Sequence, residues 1–159
     1  MKRSAVLLCI AIYAISAHAG SGKARLVAKV GSWMVLEHRH NQCRAFSEND
    51  GGQEMFALRP DGNGMWLELI DDKLHMPAGD YPVGISMNEY SVTTTGHVSS
   101  ESPRTIVAVT LSKSEFTAAL QNTTWITLDL DGNRHTRSVD GSSLLKALVA
   151  CETTPDAPW

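Results

Sequence analysis

Trp125-Ile126-Thr127-Leu128-Asp129-Leu130 runs directly into Asp131-Gly132-Asn133. Ile126, Leu128 and Leu130 alternate with Trp125, Thr127 and Asp129. A period of two sends the two sets to opposite faces, which predicts a half-buried strand. Asp131-Gly132 then supplies residues that tolerate positive φ, so a tight hairpin turn is expected. The same residues resemble the start of a calcium loop. Position twelve from Asp129 is Asp140 rather than a bidentate Glu, however, and the flanks read as strands, so the turn is preferred.

The pattern recurs along the chain. Met65, Leu67 and Leu69 alternate with Trp66, Glu68 and Ile70, and Val107, Val109 and Leu111 with Ile106, Ala108 and Thr110. Tyr81, Val83, Ile85 and Met87 make another such run, and further strands are read at 33–40, 43–46, 54–59 and 90–98. Asp50-Gly51-Gly52 and Asp61-Gly62-Asn63-Gly64 punctuate them as turns. Short strands at this spacing predict a mainly β fold, an antiparallel meander forming a sandwich or a partly open barrel.

Two short helices interrupt the strands. Ser112-Lys113-Ser114-Glu115 has the form of a capping box, and Leu111 and Phe116 stand where a hydrophobic staple would cross it, so a helix through Leu120 is expected. A second helix starts near Ser142 and puts Leu144, Leu145, Leu148 and Cys151 on one stripe.

The N-terminus reads as a targeting segment. Lys2 and Arg3 precede an apolar run from Ala5 to Ile15, and Ala17-His18-Ala19 offers small residues where a signal peptidase cuts. The run is shorter than the ~20 residues a spanning helix needs. The expected organisation is a signal peptide at 1–19, one globular domain at 20–152 and a loose tail at 153–159, with a periplasmic or secreted location and no membrane segment after cleavage. The 159-residue chain carries a formal charge of −3. Loss of Lys2 and Arg3 leaves 12 basic residues against 17 acidic ones, a net −5. A mildly acidic chain without a basic cluster argues against nucleic acid as a partner.

Removal of Cys9 leaves Cys43 and Cys151, and an even pair in an exported chain predicts a disulfide. Neither has the CxxC or CxxH spacing of a metal site. A thiolate in the C-terminal half of a helix is opposed by the helix dipole, which weighs against a catalytic thiol.

Other motifs are weak. His38 and His40 fall two apart on one strand face, as HxH ligands would, but two ligands are too few, so no metal site is expected there. No GxSxG elbow, phosphate-binding glycine loop or dinucleotide fingerprint occurs, so neither catalysis nor a cofactor is expected. Glu37, Glu54, Glu68, Asp71 and Asp72 read as the solvated face of their strands. Trp66 and Trp125 fall on the polar faces of theirs and are the candidates for a contact surface.

Gly31-Ser32-Trp33-Met34-Val35, followed by Cys43 and Ala45 and later by Phe116-Thr117-Ala118-Ala119-Leu120 after a strand, resembles small exported bacterial proteins of the invasion-associated locus B type. The resemblance implies a periplasmic or surface β-rich protein without a characterised catalytic site, so no functional residues carry over. The expected function is binding of another protein at the bacterial envelope, with a link to host interaction. The alternative is a periplasmic inhibitor or immunity protein that blocks an enzyme with a loop such as 48–53 or 71–80.

Overall fold

The computed structural model describes residues 24–38, 42–49, 51–62, 64–101 and 104–153. Residues 1–19, read above as a signal peptide, residues 154–159 of the expected tail, and His40 lie outside the described residues.

Among the described residues there are ten strands: β1 (Arg25–Val30), β2 (Trp33–His38), β3 (Gln42–Glu48), β4 (Glu54–Asp61), β5 (Gly64–Asp71), β6 (Gly79–Met87), β7 (Tyr90–Glu101), β8 (Arg104–Ser112), β9 (Trp125–Leu130) and β10 (Asn133–Ser138). Among the described residues two helices, α1 (Lys113–Leu120) and α2 (Gly141–Thr153), accompany them. All ten strands form one sheet in the order β1-β2-β3-β4-β5-β8-β7-β6-β9-β10, and each neighbouring pair is antiparallel. The sheet does not close into a barrel. Successive hairpins lay down β1 to β5. The chain then skips outward to β6, and β7 and β8 fold back so that β8 pairs with β5. Helix α1 connects β8 to β9, which lies beyond β6.

The opening stretch behaves as its alternation requires. Ile126, Leu128 and Leu130 are buried in the core, and Leu130 pairs with Asn133 across a two-residue turn. Asp131 (φ 52°) and Gly132 (φ 83°) both sit in the left-handed region, the requirement of a type I′ hairpin. The Asp129 carboxylate accepts the Gly132 N–H at 2.8 Å and fixes the turn.

One face of the sheet forms the core. Trp33, Val35, Cys43, Ala45, Phe56, Leu58, Leu67, Leu69, Val107 and Val109 are buried there at alternate positions, together with Ile126 and Leu128. The two ends of the sheet meet through side chains instead of a strand ladder. Trp33 Nε1 donates to the Ser138 carbonyl oxygen at 2.8 Å. Arg137 Nη2 donates to Glu54 Oε1 at 2.7 Å, His135 Nδ1 lies 2.9 Å from Glu54 Oε2, and the Arg137 guanidinium stands 5.5 Å from the Phe56 ring centre. These contacts carry β10 across the core to face β2 and β4.

Helix α2 starts one residue earlier than expected and continues through Thr153, which the sequence assigned to the tail. Asp140 caps it: its carboxylate accepts the Ser143 N–H at 3.0 Å and the Ser143 hydroxyl at 2.8 Å. Those two bonds hold the Asp140 carboxyl below its ordinary pKa. The stripe Leu144, Leu148 and Cys151 enters the core, whereas Leu145 is only half-buried at its margin. Cys151 is bonded to Cys43, with a Cα–Cα distance of 6.0 Å across 108 positions. This disulfide fastens the last helix to β3.

Two local expectations are corrected. Ser112 precedes α1 with extended backbone but makes no side-chain cap; its hydroxyl pairs with Ser114 Oγ at 3.0 Å, so the capping box does not form. Leu111 and Phe116 are nevertheless both buried in the core, so apolar anchoring fixes the helix start. The acidic residues are also less solvated than read. Glu37 is 1% exposed and bonded to the guanidinium of Arg25 on β1, and Asp71 is 7% exposed. Both occupy core-facing positions near strand ends, where a partner replaces water.

Candidate functional site

The outward face of β2 to β5 differs from an ordinary solvated sheet surface. The positions between the core residues carry Met34, Leu36 and His38 on β2, Arg44 and Phe46 on β3, Met55, Ala57 and Arg59 on β4, and Trp66, Glu68 and Ile70 on β5. Met55 and Ala57 are buried, and the others are half-buried. Both helices insert their buried residues into the core, so among the described residues no layer covers this face.

Register brings the cations together. Leu36 pairs with Arg44, and the neighbouring Ala45–Leu58 pair places Arg44 opposite Arg59, which in turn pairs with Trp66. The Arg59 guanidinium lies 4.7 Å from the Trp66 ring centre, a cation–π stack. Trp66 Nε1 donates to Asp61 Oδ2 at 2.7 Å, which holds the indole in place. His38 stands diagonally from Arg44, one step along β2.

The electrostatics are unbalanced. Burial lowers the Arg44 pKa, the adjacent Arg59 lowers it further, and Glu68 opposes them. Burial, followed by the Arg44 charge, lowers the pKa of His38. Arg44 Nε, Arg59 Nε and His38 Nε2 are all buried without a hydrogen-bond partner among the described residues. Three polar nitrogens in that state on one face are costly, and an incoming acceptor relieves the cost. A guanidinium stacked on an aromatic ring presents a planar fork suited to a carboxylate.

Trp66 therefore lies within this patch. Trp125 is half-buried on β9, and β8, β7 and β6 intervene between it and β5. At ~4.8 Å per strand that is ~19 Å along the sheet. His38 stands beside the arginine pair of β3 and β4. Arg44 and Arg59 were absent from the sequence reading. Each occupies an alternate position of its strand, but only the β3–β4 register shows that they are neighbours.

The fold and this face define a small β protein built on one rolled antiparallel sheet, with an exposed wall that mixes apolar and cationic groups. The solved structure of invasion associated protein B from Bartonella henselae is similar to it, with a TM-score of 0.58 over 80% of this chain and 96% of that chain, at 14% sequence identity. That likeness is one of fold. No protein-family model matches the chain, and no curated protein matches it.

Proposed function

We propose that this is an exported bacterial envelope protein that binds a partner protein through the outward face of β2 to β5. The observation that carries the reading is the gathering of three buried nitrogens, on His38, Arg44 and Arg59, that have no partner among the described residues, among half-buried apolar side chains on a sheet face that no described layer covers. The partner surface that fits carries acidic side chains between apolar ones. Carboxylates would satisfy the guanidinium groups, while Met34, Leu36, Phe46 and Ile70 would lose their remaining contact with water. Export is supported by the basic-apolar-small pattern of residues 1–19 and by a disulfide, which persists in oxidising compartments. The shared fold with an invasion-associated protein fits a role where bacterium and host meet.

A photo-crosslinking amino acid tests the reading in living bacteria. Placed at Phe46, it should give a single discrete adduct with a partner protein. Placed at Thr93, an exposed position of β7, it should not. No adduct at Phe46, or the same adducts from both positions, would refute the assignment of the face.

A further inference from the structure

A second cluster lies on the opposite side of the sheet, where its two ends meet. Glu54 of β4 and Asp71 of β5 are register partners, and His135 reaches them from β10 across the core. We propose that Glu54, Asp71 and His135 form a binding site for a zinc-like divalent cation.

The geometry is that of ligands around one point. One ligating atom from each residue lies within 4.8 Å of the other two. His135 Nδ1 is 2.9 Å from Glu54 Oε2 and 3.8 Å from Asp71 Oδ2. Tetrahedral zinc with bonds of ~2.0–2.1 Å places its ligand atoms ~3.3 Å apart. The cation enters by replacing the His135–Glu54 hydrogen bond and draws the three ligand atoms, now within 4.8 Å of one another, in to that spacing.

The surrounding contacts aim the same atoms. Glu54 Oε1 is held by Arg137 Nη2 at 2.7 Å, which leaves Oε2 facing His135. Asp71 Oδ1 is held by the Lys73 backbone N–H at 2.7 Å, which leaves Oδ2 facing the same point. Hydrogen bonds that immobilise one oxygen of a carboxylate and free the other are the usual support of a metal ligand. The Asp71 side chain is only 9% exposed, and its Oδ2 lies 3.8 Å from His135 Nδ1. A carboxylate so enclosed calls for a positive partner. Arg137 neutralises one of the two carboxylates, so the three ligands and Arg137 together carry about one negative charge for the cation to meet. Two oxygens and one imidazole nitrogen suit a first-row divalent ion better than calcium, which prefers six to eight oxygens. Glu54 and Asp71 were read as solvated acids; the approach of His135 from β10 is what no local spacing reveals.

The test uses the mature chain after chelator treatment, titrated calorimetrically with zinc chloride, with magnesium chloride as the comparison. The expected result is saturable 1:1 zinc uptake that raises the melting temperature, no uptake of magnesium, and at least a tenfold weaker zinc affinity in both Asp71→Asn and His135→Gln. Absence of zinc uptake by the parent chain, or uptake unchanged in the two variants, would overturn the site. If a variant does not fold, nitrogen NMR of the parent decides. Zinc should move the His135 Nδ1 resonance, and movement of other histidine rings with His135 unmoved would overturn the site equally.

Discussion

The indole of Trp33 on β2 donates a 2.8 Å hydrogen bond to the backbone carbonyl of Ser138 on β10, joining strands near opposite ends of the sheet order. The Trp33 side chain is fully enclosed. Trp33→Phe removes this bond and part of the ring volume. A loss of ~1–3 kcal/mol is expected from the missing hydrogen bond and the small cavity. Urea unfolding followed by far-UV circular dichroism checks it, with Trp66→Phe on the outer face as a control that should change stability much less.

The Cys43–Cys151 bond closes a loop of 108 positions. In the loop-closure account, constraining the unfolded chain over that span contributes ~4–5 kcal/mol, although bridges often deliver less. Small domains have net stabilities of only ~5–15 kcal/mol. Reduction should therefore lower the melting temperature strongly, and α2 should lose amide protection first because its anchor to β3 is gone. Denatured, unreduced protein from an oxidising compartment should show no free thiol in the mature chain. Two free thiols would contradict the bridge.

Gly141 begins α2 against the end of α1. A Cβ built there would lie 1.8 Å from the Leu120 carbonyl oxygen and 3.0 Å from that of Thr123. The obstacle is backbone, which cannot rotate aside as a side chain can. Gly141→Ala should therefore destabilise the fold by ~1–3 kcal/mol or more, despite the better helix propensity of alanine. Neighbouring Ser142→Ala, half-buried and without such an obstacle, should have a much smaller effect. Thermal unfolding of the two variants separates these outcomes.

Burial and the Arg44 charge both lower the pKa of His38 below its ordinary value of 6.5. The unfolded chain then binds more protons at this site than the folded one as pH falls below 6.5. The His38 contribution is thus neutral above that pH. The destabilisation grows as pH falls from 6.5 toward the lower folded value and levels off below it. Proton NMR of the imidazole should show the depressed titration, and Arg44→Gln should move it upward by removing one of the two causes. A His38 midpoint at or above 6.5 in the parent would contradict the cationic cluster.

Much of the fold was legible because apolar residues alternate wherever one strand face enters the core. Val107, Val109 and Leu111 on β8 and Met65, Leu67 and Leu69 on β5 declare their buried face directly. Two strands escaped for the complementary reason. β10 is wholly polar, Asn-Arg-His-Thr-Arg-Ser, and contributes ionic groups to the core side, while β1 is an edge strand whose Leu26 is 57% exposed. Neither has a hydrophobic period to read. The candidate sites were legible only in fragments. Trp66 and His38 stood out as residue types, but their alignment with Arg44 and Arg59 depends on the register of four strands. The approach of His135 to Glu54 and Asp71 depends further on the rolling of the whole sheet.

The most direct test of the outer face as a docking surface is recovery of a partner by the folded protein and by a charge-reversed form. The mature chain and an Arg44→Glu, Arg59→Glu double variant would be immobilised and exposed to envelope extract and to host-cell surface extract. Circular dichroism and melting temperature would first establish that both are folded. The account predicts that the parent retains a dominant partner protein, released by moderate salt because the contact includes guanidinium–carboxylate pairs. The double variant should retain at least tenfold less. Equal retention by both folded proteins, or no specific retention by the parent, would contradict it.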